Sequence, residues 1–230
     1  MIRNWLIAGA VLLFLYVGLV ESETRSGREL IKNAQITATT RKITYTEQDI
    51  AAFKERFGVL PGDIPNPEEK IPACKQEIKC GKGNGDSKIG GLVGEYIESE
   101  NEFFWQHLVA SGDISHPEYY PDGNWNMSGF ESPLFIGYFD GKSSLPDVLG
   151  ETKEGHYFFL TSTSGKVAFL KTQQAAMLDR KMDDGMPMTG KVIAAGNPNC
   201  LSKKMNRASP YITKNSKNPA YPFTFIWDIL

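Results

Sequence analysis

The residues best suited to chemistry in this sequence are two adjacent carboxylates, Asp183 and Asp184, which stand directly before Gly185. Carboxylate oxygens are hard ligands of the kind that Ca²⁺ prefers, so the pair could hold a calcium ion. In the other interpretation Gly185 takes a left-handed conformation that ends a helix, and the two aspartates accept hydrogen bonds from backbone amides. The sequence leaves both interpretations open.

Two further stretches resemble ion-binding or phosphate-binding loops only in part. Gly83-Asn84-Gly85-Asp86 contains a fragment of a calcium loop, but the full spacing of acidic residues is absent. Ser162–Lys166 matches the end of a P-loop, yet Leu160 stands where the first glycine belongs. We interpret the first stretch as a turn and the second as a hairpin.

Acid–base or nucleophilic catalysis would have to use one of three histidines, His107, His116 and His156. His107 follows Phe103 and Phe104 in a segment predicted to be helical, which favours a packing role. No nucleophile elbow, zinc-protease motif or Cys–His signature is present in the sequence. The sequence therefore predicts no enzymatic activity, and an extracytoplasmic hydrolase has no positive support.

The chain contains three cysteines, and their spacing favours a disulfide over a metal site. Cys74 and Cys80 lie in one proline-bounded loop, and Cys200 stands alone. A zinc site would need a second pair of ligands, and no histidine lies near. If the globular region is outside the cytoplasm, a disulfide between Cys74 and Cys80 would staple this loop.

Length and composition predict one globular domain behind an apolar N-terminal segment. The chain has 230 residues with a formal net charge of −2, which gives no nucleic-acid footprint. The mean hydropathy is −0.31, so apolar character is concentrated near the N-terminus. Trp5–Val20 is apolar or glycine throughout and would span about 24 Å as a helix. We predict a membrane-anchoring segment over 1–28 and an extracytoplasmic domain over 29–230. A cleaved signal peptide is the alternative, although the usual small-residue cleavage site is missing.

The elements that must position these residues indicate an α+β fold. A helix pattern without proline runs from Arg28 to Gly58, with an apolar stripe at Ile36, Ile43, Ile50, Phe53 and Phe57. We expect its C-terminal half to pack on a small antiparallel sheet. Short aromatic and β-branched runs predict the strands, and further periodicity predicts two more helices. The strands are expected at 133–139, 156–162, 166–170, 191–195 and 221–229, and the helices from about Ser99 and over 172–182.

Loops are expected at 61–94 and 113–132, and two local motifs mark other element boundaries. Ser99-x-x-Glu102 is a capping-box pattern at the start of the second helix. Thr163-Ser164-Gly165 predicts a tight hairpin between two strands.

An ordered set of motifs resembles bacterial type IV pilin-like proteins and pseudopilins. The first motifs surround the long helix and its exit: Gly27–Gln35, Ala52–Phe57 and Leu60–Asn66. The later ones follow in the same order, and the matches together span about residues 27–195: Gly83–Asp86, Glu102, Phe104–Leu108, Gly112–Ile114, Leu178–Pro187 and Thr189–Val192.

This resemblance implies a structural subunit of a type IV pilus or type II secretion pseudopilus-like fibre. Such a subunit would sit in the bacterial inner membrane with a periplasmic domain, and its partners would be other pilin-like subunits and the inner-membrane assembly machinery. Some pilin-like proteins bind calcium in a loop of the region that corresponds to Asp183 and Asp184 in this chain. Assembly would use the apolar residues of the N-terminal helix: Leu6, Ile7, Val11, Leu12, Phe14, Leu15 and Leu19. The family fold would depend on Pro61, Gly62, Asp63, Trp105, Asp183, Asp184 and Gly185.

The first residues depart from the prepilin pattern. When the helix is aligned without gaps, Asn4 stands at the position of the glycine before the cleavage point and Trp5 at the aromatic position. Gly9 falls where a glutamate belongs. This departure favours a second hypothesis, a non-polymerising, single-pass periplasmic binding or adhesion module with a pilin-like fold.

Overall fold

The computed structural model describes most of the chain. Backbone is described for residues 2–76, 80–90, 99–114, 119–120, 123–130, 133–140, 154–160, 170–187, 189–196, 211 and 219–226. Side chains are described within these ranges except at 2–25, 76, 119–120, 123–127, 133, 195–196 and 219–226.

The first element, α1, is a helix over Ile2–Phe57 with 56 residues, or about 84 Å of length. It contains no proline, and it ends where Gly58 takes a φ of 73°. The backbone N–H of Gly58 closes the last turn on the carbonyl of Lys54 at 2.8 Å. The predicted helix and its glycine C-cap are therefore confirmed.

The C-terminal half of α1 is buried along the predicted stripe. Ile36, Ile43, Ile50 and Phe53 are all buried, whereas Phe57 is only partly buried. Their spacings of seven, seven and three residues place them on one side of the helix. They belong to the same hydrophobic core as the side chains of the two central strands described below.

Seven antiparallel strands form the sheet. They are β1 Tyr119–Tyr120, β2 Gly123–Met127, β3 Pro133–Phe139, β4 Gly155–Leu160, β5 Leu170–Lys171, β6 Val192–Gly196 and β7 Pro219–Ile226. Neighbours follow the order β1-β2-β3-β4-β7-β5, and β6 also pairs with β7. Ala220 pairs with both Leu170 and Gly196, so β5 and β6 lie on opposite edges of β7. The mixed α+β architecture with an antiparallel sheet is thus present in the structure.

Four shorter helices complete the fold: α2 Pro67–Lys70, α3 Ala73–Gln76, α4 Glu100–Ala110 and α5 Thr172–Met182. Helices α4 and α5 both lie against α1. The prediction of α5 is confirmed at both ends, and α4 begins one residue after Ser99.

Several local predictions were wrong. The stretch 61–94, expected to be a loop, contains α2 and α3, and 113–132 contains β1 and β2. The capping box at the start of α4 is not formed, because the Ser99 hydroxyl makes no capping hydrogen bond and donates to the side chain of Asn101 instead.

The predicted strands agree with the structure in position, with small shifts at their ends. The strand at 133–139 is confirmed, and the strand expected at 156–162 runs over 155–160. The strands expected at 191–195 and 221–229 run over 192–196 and 219–226. Only Leu170 of the strand expected at 166–170 is described, and the Thr163–Gly165 hairpin lies outside the described residues.

The anchoring prediction concerns side chains that are not described. The backbone of residues 2–28 continues α1 without a break. Among the helical residues whose side chains are described, no stretch is both long enough and apolar enough to cross a membrane. The division of the chain at residue 28 stays a prediction.

Candidate functional site

Two groups of carboxylates have oxygens close enough together to share one cation. The α5 cluster consists of Asp179, Asp183 and Asp184, and the α4 cluster consists of Asp63, Asp86 and Glu100. In each cluster, one oxygen from each residue lies within 4.8 Å of the others. The first cluster contains both aspartates of the sequence prediction.

The α5 cluster forms where that helix ends. Asp183 is its C-cap, and Gly185 has a φ of 76°, which few other residues adopt readily. Asp184 Oδ1 accepts a hydrogen bond from the backbone N–H of Met186 at 2.8 Å, and its Oδ2 accepts one from the hydroxyl of Thr189. These contacts match the interpretation of the motif as a capped helix end.

Asp183 and the loop after it also cover one edge of the sheet. Asp183 Oδ2 accepts hydrogen bonds from the backbone N–H groups of Lys191 and of Val192, the first residue of β6. The next outward N–H of β6, at Ala194, donates to the carbonyl of Pro187 at 2.7 Å. Among the described strands β6 pairs only with β7, so these contacts occupy donors of an otherwise open edge.

Asp179 is the buried member of the α5 cluster, and it was not among the residues predicted from the sequence. Its Oδ1 accepts from the N–H of Gly185 at 2.9 Å and its Oδ2 from the hydroxyl of Tyr211 at 2.7 Å. Burial raises the pKa of Asp179 to about 7, with further increases from Asp184 and Asp183. Burial also raises the pKa of Tyr211. The sequence does contain a signal for Asp179. It follows Ala176 by three residues and Ala175 by four, which places it on the same face of the predicted helix as these two small apolar residues.

The α4 cluster gathers three acidic residues from distant parts of the chain. Asp63 follows the exit from α1, Asp86 lies in the turn after the disulfide, and Glu100 is the first residue of α4. Asp63 and Glu100 are buried, whereas Asp86 is exposed.

Asp63 organises the turn that contains Asp86. Its Oδ1 accepts from the N–H groups of Gly85 at 2.6 Å and Asp86 at 3.2 Å, and its Oδ2 accepts from Ser87 at 2.8 Å. Burial raises the pKa of Asp63, and these backbone donors oppose that rise. The predicted turn at Gly83–Asp86 is therefore held by a carboxylate from elsewhere in the chain.

Glu100 holds the same turn from its other side. Its Oε1 accepts from the N–H of Asn84 at 2.8 Å and its Oε2 from the N–H of Gly90 at 2.6 Å. Burial raises the pKa of Glu100, with smaller increases from Asp63 and Asp86. Five backbone donors thus reach the two buried carboxylates, and they supply the partial positive charge that stabilises them.

His107 joins this arrangement as a neutral ring. Its Nδ1 accepts from the N–H of Gly62 at 2.8 Å, and its Nε2 lies 2.9 Å from the carbonyl of Gly81, to which it donates. Burial lowers the pKa of His107 to about 4. Both ring nitrogens are engaged with backbone, so this histidine is not placed to act as a general base.

The glycines beside these groups allow close backbone contact. Gly62 has a φ of 91°, and a Cβ built there would lie 2.4 Å from the carbonyl oxygen of Glu100. A Cβ at Gly83 would lie 2.4 Å from the carbonyl oxygen of Gly62. The motifs Leu60–Asn66, Gly83–Asp86 and Phe104–Leu108 therefore meet in one place.

The disulfide predicted between Cys74 and Cys80 is present, with the two Cα atoms 5.3 Å apart. Cys80 directly precedes Gly81, whose N–H donates to Gln106 Oε1 at 2.9 Å. The disulfide thus lies at the start of the segment held by the α4 cluster.

The other predicted residues divide into two groups. Pro61, Gly62, Asp63 and Trp105 are buried around the α4 cluster or in the core. The seven assembly residues between Leu6 and Leu19 have side chains outside the described part, and His116 and Cys200 lie outside it altogether.

Comparisons of the chain with protein-family models, with curated proteins and with solved structures find no match. The resemblance to pilin-like proteins therefore rests on the sequence motifs alone.

Proposed function

We propose that this chain is a structural subunit of a type IV pilus or of a type II secretion pseudopilus-like fibre and that it assembles through α1. The observation that carries the proposal is the position of the exposed apolar side chains. Among the described side chains, the large hydrophobic residues that are exposed are Leu30, Ile31 and Tyr45, at 67%, 61% and 57%, and all three lie on α1.

The burial of α1 changes along its length. From Ile36 onward one face is buried in the core, but Leu30 and Ile31 have no such cover. The small residues Ala34 and Ala38 are also exposed. Large exposed apolar residues beside small ones on one helix are typical of a helix that packs against another helix.

An apolar sequence lies N-terminal to this region. Trp5–Val20 belongs to the continuous helix α1. In the proposed mechanism this segment holds the subunit in the bacterial inner membrane, with the domain in the periplasm. During assembly it would pack among the equivalent helices of other pilin-like subunits, supplied by the inner-membrane machinery, through the seven residues from Leu6 to Leu19.

The non-polymerising membrane-anchored module is the second candidate, and the composition of the first nine residues favours it. Asn4 and Gly9 replace the glycine and the glutamate that prepilin processing and assembly use. Intact mass of the mature protein and its presence in sheared surface fibres separate the two candidates. A trimmed, methylated N-terminus or recovery in fibres supports the subunit, and an intact Met1 confined to the membrane fraction contradicts it.

A paired substitution tests whether the exposed face of α1 is used in assembly. Each buried Leu or Ile contributes about 1.5–3 kcal/mol, so Leu30→Gln with Ile31→Gln should reduce fibre incorporation by more than about tenfold. Arg41→Gln with Thr44→Gln, at exposed polar positions on the same helix, is the matched control. Wild-type incorporation of the Leu30→Gln, Ile31→Gln variant would show that these two residues do not form an assembly surface.

Calcium at the α5 cluster stays a prediction. Its three carboxylates offer the hard oxygens that Ca²⁺ requires, but the hydrogen bonds described above account for their positions without an ion. If calcium binds, a chelator should lower the melting temperature of the calcium-loaded protein, and Asp184→Asn should abolish the difference. No chelator effect on the wild type would remove calcium from the proposal.

A further inference from the structure

The segment between the disulfide and Ile89 contains no apolar side chain. Residues 81–88 read Gly-Lys-Gly-Asn-Gly-Asp-Ser-Lys, and we call them the glycine loop. All of them are exposed except Gly81 and Gly83, which are partly buried. Three glycines give this segment a large conformational entropy when it is released. The hydrophobic effect therefore contributes little to keeping the loop closed.

Polar contacts hold the glycine loop along its whole length. Gly81 bonds to the side chains of Gln106 and His107 on α4, and the N–H of Gly83 donates to the carbonyl of Ile64 at 2.9 Å. Its remaining anchors are the carboxylates of Asp63 and Glu100 described above. Hydrogen bonds of this kind each contribute about 0.5–3 kcal/mol, so the closed state depends on several weak contacts acting together.

The two ends of the glycine loop are fixed by different means. At its C-terminal end Ile89 is 1% exposed, and its carbonyl accepts from the N–H of Tyr138 on β3 at 2.9 Å. At its N-terminal end the fixed point is Cys80, joined to Cys74. Both cysteines are only partly buried. Reduction would therefore leave the N-terminal end held only by the hydrogen bonds of Gly81 and Gly83, while the other end stays packed in the core.

We propose that the Cys74–Cys80 disulfide is a redox latch, whose reduction releases the glycine loop from α4 and Asp63 while the sheet remains folded. This inference does not depend on assembly into fibres. A small-molecule dithiol supplies the two electrons. One of its thiolates attacks a sulfur of the bridge to give a mixed disulfide, and its second thiolate then displaces the protein thiolate. The protein gains two thiols, and the reductant leaves as a disulfide.

Opening the latch changes what the surface presents. Release of Gly81 and Gly85 removes backbone partners from His107 and Asp63 and opens them to water. The closed loop covers Asp63, Glu100 and His107, so the oxidation state of the disulfide sets whether these three side chains are covered.

Amide hydrogen exchange on the full chain tests the latch. We use a Cys200→Ser background, so that the reactive pair is confined to Cys74 and Cys80, and compare the oxidised protein with the protein in dithiothreitol. Amides of the glycine loop, such as those of Gly85 and Ser87, should exchange at least about tenfold faster after reduction. Amides of β4 should keep their protection, and reoxidation should restore the original rates.

Two results would overturn the latch. Unchanged exchange in a fully reduced loop would mean that the polar anchors suffice without the bridge. Equal acceleration in β4 would mean that the bridge stabilises the whole domain and not the loop alone. The Cys74→Ser with Cys80→Ser variant is the control for effects of the reductant, since dithiothreitol should not change its exchange rates. Should this variant fail to fold, the reduced Cys200→Ser protein still decides between these outcomes.

Discussion

Individual carboxylates in this protein hold loops in place by accepting hydrogen bonds from their backbone. Asp63, Glu100 and Asp183 each accept hydrogen bonds from backbone N–H groups of a segment far along the chain or across a turn. A carboxylate can accept several donors at once, and a charged acceptor makes the stronger kind of hydrogen bond. The acidic motifs of the sequence can thus be understood as anchors for polypeptide that has few apolar contacts of its own.

The clearest test at the residue scale compares two aspartates of the α4 cluster. Asp63→Asn replaces one acceptor oxygen of a buried carboxylate with a donor that faces a backbone N–H, so we expect a loss of about 2–3 kcal/mol of unfolding free energy. Asp86 is exposed, and an asparagine there retains the acceptor for the N–H of Lys88. Asp86→Asn should change stability by less than about 0.5 kcal/mol. Urea unfolding at neutral pH measures both, and equal losses would contradict the anchoring role.

At the scale of elements, local patterns were enough to predict most helices and strands. The stripe on α1 has helical spacing because one side of the helix is buried, and Gly58 marks its end chemically. Strand β3 was predicted because Pro133–Phe139 is rich in aromatic and β-branched residues. In contrast, Gly123–Met127 contains residues typical of turns, and it forms β2 only because β1 and β3 pair with it.

The α4 cluster could not be predicted because it has no local pattern. Asp63, Asp86 and Glu100 belong to three segments separated by loops, and only tertiary packing brings them together. Two of the three residues of the α5 cluster were predicted, because Asp183 and Asp184 are adjacent in sequence. Tyr211, the partner of Asp179, lies 32 residues away from it, and no local rule connects the two.

Substitution of Gly129 by alanine tests how closely the turn after β2 approaches α1. Gly129 donates its N–H to the Thr39 hydroxyl at 3.0 Å, and a Cβ there would lie 2.4 Å from the carbonyl oxygen of Gln35. Because the added methyl group would clash with backbone atoms of α1, which cannot move without disturbing the helix, we expect Gly129→Ala to lower the unfolding free energy by about 1–3 kcal/mol.

Gly27→Ala is the matched control, because it adds the same methyl group within α1 where, among the described residues, no atom other than the helix's own nearby backbone lies within 4 Å. Alanine is the better helix former, so this variant should gain about 0.5–1 kcal/mol. Thermal or urea unfolding measures both variants. A neutral Gly129→Ala would show that the turn can move away from α1 without loss.

At the scale of the whole molecule, buried ionisable groups give stability a pH dependence with two opposing contributions. Burial raises the pKa of several carboxylates, which are Glu47, Asp49, Asp63, Glu100 and Asp179. Burial lowers the pKa of His107 from 6.5 to about 4. Each group favours its neutral form in the folded state, but the two kinds respond to pH in opposite directions.

The signs follow from which state binds the proton. Between pH 3.8 and about 7 Asp179 retains a proton in the folded state that it has lost in the unfolded chain. Its contribution to the free energy of unfolding therefore falls as the pH rises. Between pH 6.5 and about 4 the unfolded chain protonates His107 while the folded protein does not, so its contribution falls as the pH drops. In the range shared by both, from about pH 4 to 6.5, the two contributions oppose each other.

Two single substitutions should separate these contributions. Asp179→Asn removes the contribution that decreases with pH, so its unfolding free energy should rise more steeply from pH 4 to 6.5 than that of the wild type. His107→Gln removes the contribution that increases with pH. The slope of its unfolding free energy against pH should therefore be less positive than that of the wild type from pH 4 to 6.5. Urea unfolding at a series of pH values, in buffer with a chelator so that no cation contributes, measures all three proteins. Parallel curves would mean that neither group titrates differently in the folded and unfolded states, whatever the mean stability of each variant.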